Sequence, residues 1–255
     1  MRIVYLLEYA DKKINILKIV ALIPARFASS RLPAKLVQDL GGISVIQRTY
    51  QSTVATAVFD EVWVVTDHAQ IEAQIQAIGG KVIRSSQEHE SGSDRIAEAL
   101  GQVDADLIVN VQGDEPFQDA KTLRDLVEVF VNPEVEVASL MHKLPADQVH
   151  NPNFVKVVVD ESCRALYFSR SPIPYNREGK TITYWKHIGV YAYRRGILNS
   201  FTQWPKGFLE QIELLEQLRL VERGVPIQMV ETTHESIAID TEDDLKKARL
   251  LVNPV

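Results

Sequence analysis

The chain is short of several things. It holds one cysteine, Cys163, in 255 residues, so no disulfide can form within it, and a lone thiol suits a reducing compartment such as the cytoplasm. It has no long hydrophobic run. Ile19-Val20-Ala21-Leu22-Ile23 is among the longest, far short of the ~18 residues that a membrane span needs. It lacks a basic excess: 28 basic against 34 acidic residues give a net charge of −6. That disfavours a role on nucleic-acid backbones, yet it leaves room for a local cationic pocket around a small anion. With 45% apolar and 24% charged residues, disordered and collagen-like classes are excluded. No internal repeat or low-complexity stretch is present.

The first sixteen residues stand apart. Ile3–Leu7 is apolar, but Glu8 interrupts it and Asp11-Lys12-Lys13 follows, too short and too charged for a signal-peptide core. Residues 1–16 read as an extension before the first strand, or as a misplaced start.

What is there alternates between β-rich runs and helical periodicity, the α/β signature. Strands are expected at Ile16–Ile23, ended by Pro24, and at Val62–Thr66, Val82–Arg84 and Leu107–Gln112. Helices are expected at Val45–Ala57, Ala69–Ala77, Arg95–Leu100 and Thr122–Val131. Leu107-Ile108-Val109-Asn110-Val111 is apolar on both faces, as strands of a covered parallel sheet are. The rhythm then changes. Phe154–Val159, Ala165–Phe168 and Trp185–Tyr193 read as an antiparallel insertion (151–205) within a single domain spanning 17–255. A helix over Leu209–Arg223 follows, and a last one starts at Glu242, with Thr241 and Asp244 spaced as a capping box.

Two stretches carry chemistry. Pro24-Ala25-Arg26-Phe27-Ala28-Ser29-Ser30-Arg31-Leu32-Pro33-Ala34-Lys35 follows the first strand, at the carboxyl end of the sheet, where open α/β folds bind ligands. Arg26, Arg31 and Lys35 supply three cations with no acid among them, and Ser29 and Ser30 add hydroxyls. The set suits a polyphosphate, and equally a solvated basic loop; the spacing is not that of a Walker A motif. Gln112-Gly113-Asp114-Glu115-Pro116 ends another buried strand. A carboxylate there is placed to hold a hard cation beside a phosphate, although Gly, Asp and Pro also make ordinary turns.

These loops, with Thr66-Asp67-His68, His89-Glu90-Ser91-Gly92-Ser93-Asp94-Arg95, Asn151–Val157, Ala165–Arg170, His187–Tyr191, Leu214–Arg219 and Ile239-Asp240-Thr241, resemble in sequence and order the 3-deoxy-manno-octulosonate (Kdo) cytidylyltransferases of lipopolysaccharide synthesis. The resemblance implies a Rossmann-like, mostly parallel sheet of the nucleotide-sugar transferase type. It implies transfer of CMP from CTP to the anomeric hydroxyl of Kdo with release of pyrophosphate, Mg²⁺ as cofactor, and a cytoplasmic homodimer joined through the insertion. Neither nucleic acid nor membrane is an expected partner.

On that resemblance Arg26 and Lys35 match triphosphate-binding positions, within a CTP loop that includes Pro24, Ala25, Ser29, Ser30 and Arg31. Asp114 matches the principal metal ligand and Asp240 the second; with no family match, Asp240 would read as an acid on a helix dipole. Arg26, Lys35 and Asp114 are the catalytic set. Ser91, Gly92, Arg95 and Gln112 fall at the nucleoside, while Ser91 and Asp94 also have capping-box spacing. Strand alternation puts His187, Gly189, Tyr191 and Tyr193 on one face. The first three, with Gln112, Arg170, Glu210 and Gln217, match sugar-binding positions; Lys156 and Arg177 are further candidates. On the helix from Leu209, Leu209, Ile212, Leu215 and Leu218 are expected to face a core, and Glu210, Glu213 and Gln217 to lie on another face, by default a solvated one. Ala238 stands where the family has glycine, Glu242 where it has proline, and Gly42-Ile43-Ser44 where Gly-Lys-Pro is usual. Two rivals are a cytidylyltransferase for another acid sugar and a CTP-binding module without catalysis.

Overall fold

The computed structural model describes residues 17–29, 31–235 and 237–252, so the expected extension (1–16) and Ser30 lie outside the described residues. Two compact units emerge. One holds the chain up to Leu123 and again its last described stretch; the other runs Arg124–Glu235. The architecture is mixed α/β, with mostly parallel strands in the first unit and antiparallel pairs in the second.

In the first unit, β1 (Ile19–Ala25), β2 (Glu61–Thr66), β3 (Lys81–Arg84) and β4 (Leu107–Asn110) pair in parallel in the order β3-β2-β1-β4. Every residue of β4 is buried and all but Pro24 of β1, the consequence of sequences apolar on both faces. Pro24 does not end β1. The strand runs on to Ala25, with Pro24 opposite Val65 of β2. Pairing with β4 stops at Leu22, so beyond that point only one side of β1 needs ladder hydrogen bonds, and a residue without an N–H is tolerated. Helix α1 (Val45–Ala55) opens on a capping box, Ser44 with Gln47, and Ala57, at φ 54°, turns the chain away soon after it ends. Helix α2 spans Ala69–Ala77, as expected. Helix α3 (Gly92–Ala99) starts three residues before its expected Arg95, because the Ser91 hydroxyl caps it by accepting from the Asp94 amide at 3.1 Å. β4 is shorter than expected, ending at Asn110.

The boundary between the units falls within α4 (Ala120–Glu128). In the second unit β5 (Val137–Leu144) pairs antiparallel with β8 (Tyr184–Arg194) and parallel with β9 (Ile227–Glu231); β6 (Lys156–Val159) pairs antiparallel with β7 (Ala165–Ser169) and with β8. The antiparallel pairing expected for 151–205 is present. β5 and β9 are additions to the sequence reading, as is α5 (Arg195–Gln203), which follows β8 directly.

The single helix expected over Leu209–Arg223 is two: α6 (Phe208–Glu213) and α7 (Leu218–Glu222). Leu214 breaks it, adopting φ 54° and ψ 47°, a left-handed conformation that β-carbon sterics disfavour for leucine. The expected apolar stripe therefore does not form. Ile212 is 68% exposed while Leu215 and Leu218 are buried. Glu210 and Gln217 are also buried rather than on a solvated face.

A bulge in β8 sets its side-chain rows. Ile188 lies opposite Leu140 and Tyr191 opposite Ser139, so Gly189 and Val190 are two extra residues. Two, rather than one, preserve the alternation. His187, Tyr191 and Tyr193 accordingly share one aromatic row, with centroid separations of 5.3 Å and 5.7 Å.

Candidate active site

The carboxyl ends of β1 and β4 carry the two chemistry-bearing loops of the first unit. After β1 the chain passes Arg26, which is exposed, and reaches Lys35 at the start of a 3-10 turn (Lys35–Val37). After β4 it turns through Gly113 to Asp114. A Cβ on Gly113 would sit 2.9 Å from the Pro24 carbonyl oxygen, so only glycine lets the two loops approach this closely. The Gly113 carbonyl is anchored by the Thr49 hydroxyl at 2.8 Å.

Lys35 ties three distant segments together. Its Nζ donates to Asp114 Oδ2 and, at 2.9 Å, to Asp240 Oδ1. Arg31 Nη2 lies 2.8 Å from the same Asp240 oxygen. Burial works against the Lys35 ammonium, but the charges and hydrogen bonds of Asp114 and Asp240 outweigh it and hold its pKa above the ordinary lysine value. Asp240 is brought in by the stretch before the last helix (Glu242–Val252): the Ile239 amide donates to the Asp114 carbonyl at 2.9 Å. The expected capping box is formed, with the Asp244 carboxylate accepting from the Thr241 amide at 2.9 Å and the Thr241 hydroxyl accepting from the Asp244 amide at 3.2 Å. Ala238 is not one of the described residues at positive φ, so the place of the family glycine does not call for a left-handed backbone here.

A cavity of about 210 Å³ opens beside these groups. Pro24, Arg26, Lys35 and Asp114 line it, and Ser91, Gly92, Arg95 and Gln112 line it too. Ala25, Ser29 and Arg31 are not among its walls; Ala25 is fully buried in β1. Gly92 is pressed close, since a Cβ there would meet Pro24 Cγ at 3.1 Å. Arg95 is only 4% exposed, with Nη2 on Asp67 Oδ2 at 3.0 Å, and its Nη1 is buried without an acceptor. A second cavity of about 760 Å³ shares Arg26, His89 and Arg95 with the first and is walled by the stacked rings of Phe27 and His68, 3.8 Å apart. His89 lines both cavities, and the sequence reading left it out of the site. The signal was at hand, for His89 lies two residues before Ser91 in the same run.

Among the described residues no group of three or more His, Cys, Asp or Glu side chains converges. Two carboxylates do. Asp114 and Asp240 already converge on one cation and offer hard oxygen donors, and the cavity beside them is lined by the cationic side chains of Arg26, Lys35 and Arg95. This suits an ion such as Mg²⁺, which takes one or two carboxylates and draws its other ligands from phosphates and water.

The remaining expected residues belong to the second unit. Arg170 donates from Nε to the Glu213 carbonyl and from Nη1 to the Pro152 carbonyl, each at 3.1 Å. Glu213 in turn accepts from the Ser169 hydroxyl at 2.6 Å and the Arg170 amide at 3.0 Å. Lys156, fully buried, donates to the carbonyls of Phe154 at 2.7 Å, Asn151 at 3.2 Å and Arg170; burial pulls its pKa down. His187 Nε2 meets the Ser139 hydroxyl at 3.0 Å. Burial pushes the His187 pKa down to about 3, helped by Lys186, and raises that of Tyr191 well above its ordinary value. Glu210 gives both carboxylate oxygens to Arg219, at 2.7 Å and 2.5 Å, so a sugar hydroxyl would compete with a buried bidentate pair. Gly189 lies in the bulge, and Gln217 is buried just before α7.

A parallel α/β unit with cations and paired carboxylates gathered at its strand ends defines a nucleotidyltransferase. Residues 20–237 match the cytidylyltransferase family. A 3-deoxy-manno-octulosonate cytidylyltransferase from Flavobacterium johnsoniae is 53% identical over 94% of this chain and all of the relative. One from Escherichia coli is 43% identical over 92% of this chain and 96% of its own. A solved structure of CMP:2-keto-3-deoxy-manno-octonic acid synthetase complexed with CTP superposes with a TM-score of 0.88, at 43% identity, covering 92% of this chain and 98% of that one. The chain belongs to the 3-deoxy-manno-octulosonate cytidylyltransferases within the cytidylyltransferase family.

Proposed function

We propose that the protein transfers CMP from CTP to the anomeric hydroxyl of Kdo, giving CMP-Kdo and pyrophosphate for lipopolysaccharide synthesis. The observation that carries the reading is the bridge from Lys35 to Asp114 and Asp240, in a chain 53% identical to a relative of that name. The anomeric oxygen forms a bond to the α-phosphorus as the bond from that phosphorus to the β-phosphate oxygen breaks, and the hydroxyl proton is lost to solvent. Negative charge grows on the α-phosphate oxygens and the departing pyrophosphate, so the reaction calls for positioning and fixed positive charge. Arg26 and Lys35 supply it. Pro24, Gly92 and Gly113 keep the walls close; Ser91, Arg95 and Gln112 meet the nucleoside. Asp114 and Asp240 would hold Mg²⁺, which when bound neutralises phosphate charge and lowers the pKa of the attacking hydroxyl.

On the family resemblance Arg170, His187, Gly189, Tyr191 and Gln217 meet the acid sugar. His187, kept neutral by burial, serves as a hydrogen-bonding rather than a charged group. We further assign the protein to the cytoplasm, as a homodimer formed through the antiparallel insertion (151–205). Among the described residues no helix is long and apolar enough to cross a membrane.

The test is pyrophosphate release from CTP and Mg²⁺ with a panel of keto-acid sugars. Release with Kdo, well above that with sialic or pseudaminic acid, is the expected result. Preference for another sugar overturns the substrate. CTP binding without release from any sugar overturns the enzymatic reading.

A further inference from the structure

Glu98, on α3, serves no step described so far, yet it is among the most heavily engaged carboxylates of the first unit. It accepts from the Ser85 hydroxyl at 2.5 Å, the Ser86 amide at 2.8 Å and the Ser86 hydroxyl at 2.5 Å, and it meets His89 Nε2 at 2.7 Å. All its partners belong to the segment between β3 and α3, and that segment lines the nucleotide cavity, the adjoining larger one, or both. The His89 side chain is 8% exposed, so its ring is held rather than free to swing. Burial alone would raise the Glu98 carboxyl, but its hydrogen bonds from Ser85, Ser86 and His89 prevail and hold the pKa at about 2. An ionised carboxylate can only accept. The proton on the His89–Glu98 contact therefore sits on Nε2, and Nδ1 is an acceptor whenever the imidazole is neutral.

We propose that Glu98 is a positioning residue for nucleotide binding: it fixes His89 as the Nε2–H tautomer, so that Nδ1 accepts from a donor on the nucleoside, either the ribose 2′-hydroxyl or the exocyclic amino group of the base. The inference rests on the cytidylyltransferase reading for its ligand and on the cavity geometry for its residues. His89 becomes a further binding residue, and Glu98 acts through it.

The test uses the full chain and calorimetric titration with CTP, 2′-deoxy-CTP and UTP. Glu98→Gln keeps an acceptor for the serines but can donate an amide N–H to Nε2, which moves the ring proton to Nδ1. His89→Phe keeps a ring and removes its nitrogens. Each change is expected to weaken CTP binding roughly tenfold, and the double variant no further than His89→Phe alone, because residues acting through one contact are non-additive. Nitrogen-15 spectra of His89 are expected to show Nε2 protonated in the parent and Nδ1 protonated in Glu98→Gln, a change that a purely structural role would not produce. If the donor is the ribose 2′-hydroxyl, His89→Phe narrows the gap between CTP and 2′-deoxy-CTP; if it is the amino group, it narrows the gap between CTP and UTP. Unchanged CTP affinity in Glu98→Gln, losses that multiply in the double variant, or gaps that His89→Phe leaves intact would each overturn the proposal. A parent chain that binds CTP but releases no pyrophosphate sinks the enzymatic reading and leaves this one standing; no affinity for any of the three nucleotides removes both.

Discussion

Replacing Lys35 by methionine removes one ammonium and nearly all of its consequences can be worked out. Its side chain is only 13% exposed and bonds two carboxylates, Asp114 and Asp240. A charge-assisted hydrogen bond contributes about 1.5–3 kcal/mol. On the proposed reading those donors turn to triphosphate oxygens whose charge is growing, and loss of one such preorganised donor costs about 2.7–4 kcal/mol of transition-state stabilisation, or a factor of 10²–10³ in kcat. The apo fold should survive, because methionine nearly matches the stem and Arg31 still faces Asp240. The two carboxylates are then left short of a cation. A divalent ion should stabilise Lys35→Met against heat more than it stabilises the parent, since a ligand that binds only the native state raises stability through its affinity. Pyrophosphate-release kinetics together with melting curves at several Mg²⁺ concentrations test both halves. Activity within tenfold of the parent would refute the assigned role of the ammonium. An equal Mg²⁺ shift in the two proteins would refute the placement of the metal between the aspartates.

Three other outcomes are expected. Gly113→Ala places a methyl 2.9 Å from the Pro24 carbonyl oxygen, an overpacking that should cost about 1–3 kcal/mol in denaturant unfolding and also raise KM for CTP. Arg219→Met leaves the buried Glu210 carboxylate without its bidentate partner and should cost about 3–5 kcal/mol, while the double change Glu210→Met, Arg219→Met should be much milder; a milder single variant would contradict the burial argument. His187, with a folded pKa near 3 against 6.5 for an ordinary histidine, makes the unfolded chain bind more protons between those values. Stability should therefore fall as pH drops from 6.5 towards 3, by about 1–2 kcal/mol at pH 5, and His187→Gln should flatten that slope in urea titrations at pH 7 and pH 5.

The first unit was largely legible because its strands are apolar on both faces and its helices carry caps. Helix α2 lies where its periodicity puts it, and the Ser91 cap marks the start of α3, although the expected start was placed later. The second unit hid more. β5, with Ser139, His142 and Lys143 among its residues, lacks a clean two-residue alternation, and β9 is short. The break at Leu214 leaves no trace, because the usual signals for a left-handed residue are glycine and asparagine. That break also concealed the partner of Glu210. Arg219 is nine residues on, a spacing that no continuous helix brings onto one face. In the site, single loops suggested phosphate and metal, but Lys35 meets Asp114 across 79 positions and Asp240 across 205. No local pattern encodes such a meeting, and only the family resemblance pointed to it.

That last separation bears on how the enzyme comes into being. A nascent chain leaving the ribosome presents its cationic loop early and Asp114 next, but Asp240 must wait until the whole second unit has been made. Translation products that stop short of Asp240 carry only one of the two carboxylates that Lys35 joins. On the proposed reading, catalytic competence arrives only with the final stretch of synthesis, and chains that end short of Asp240 should release no pyrophosphate from CTP.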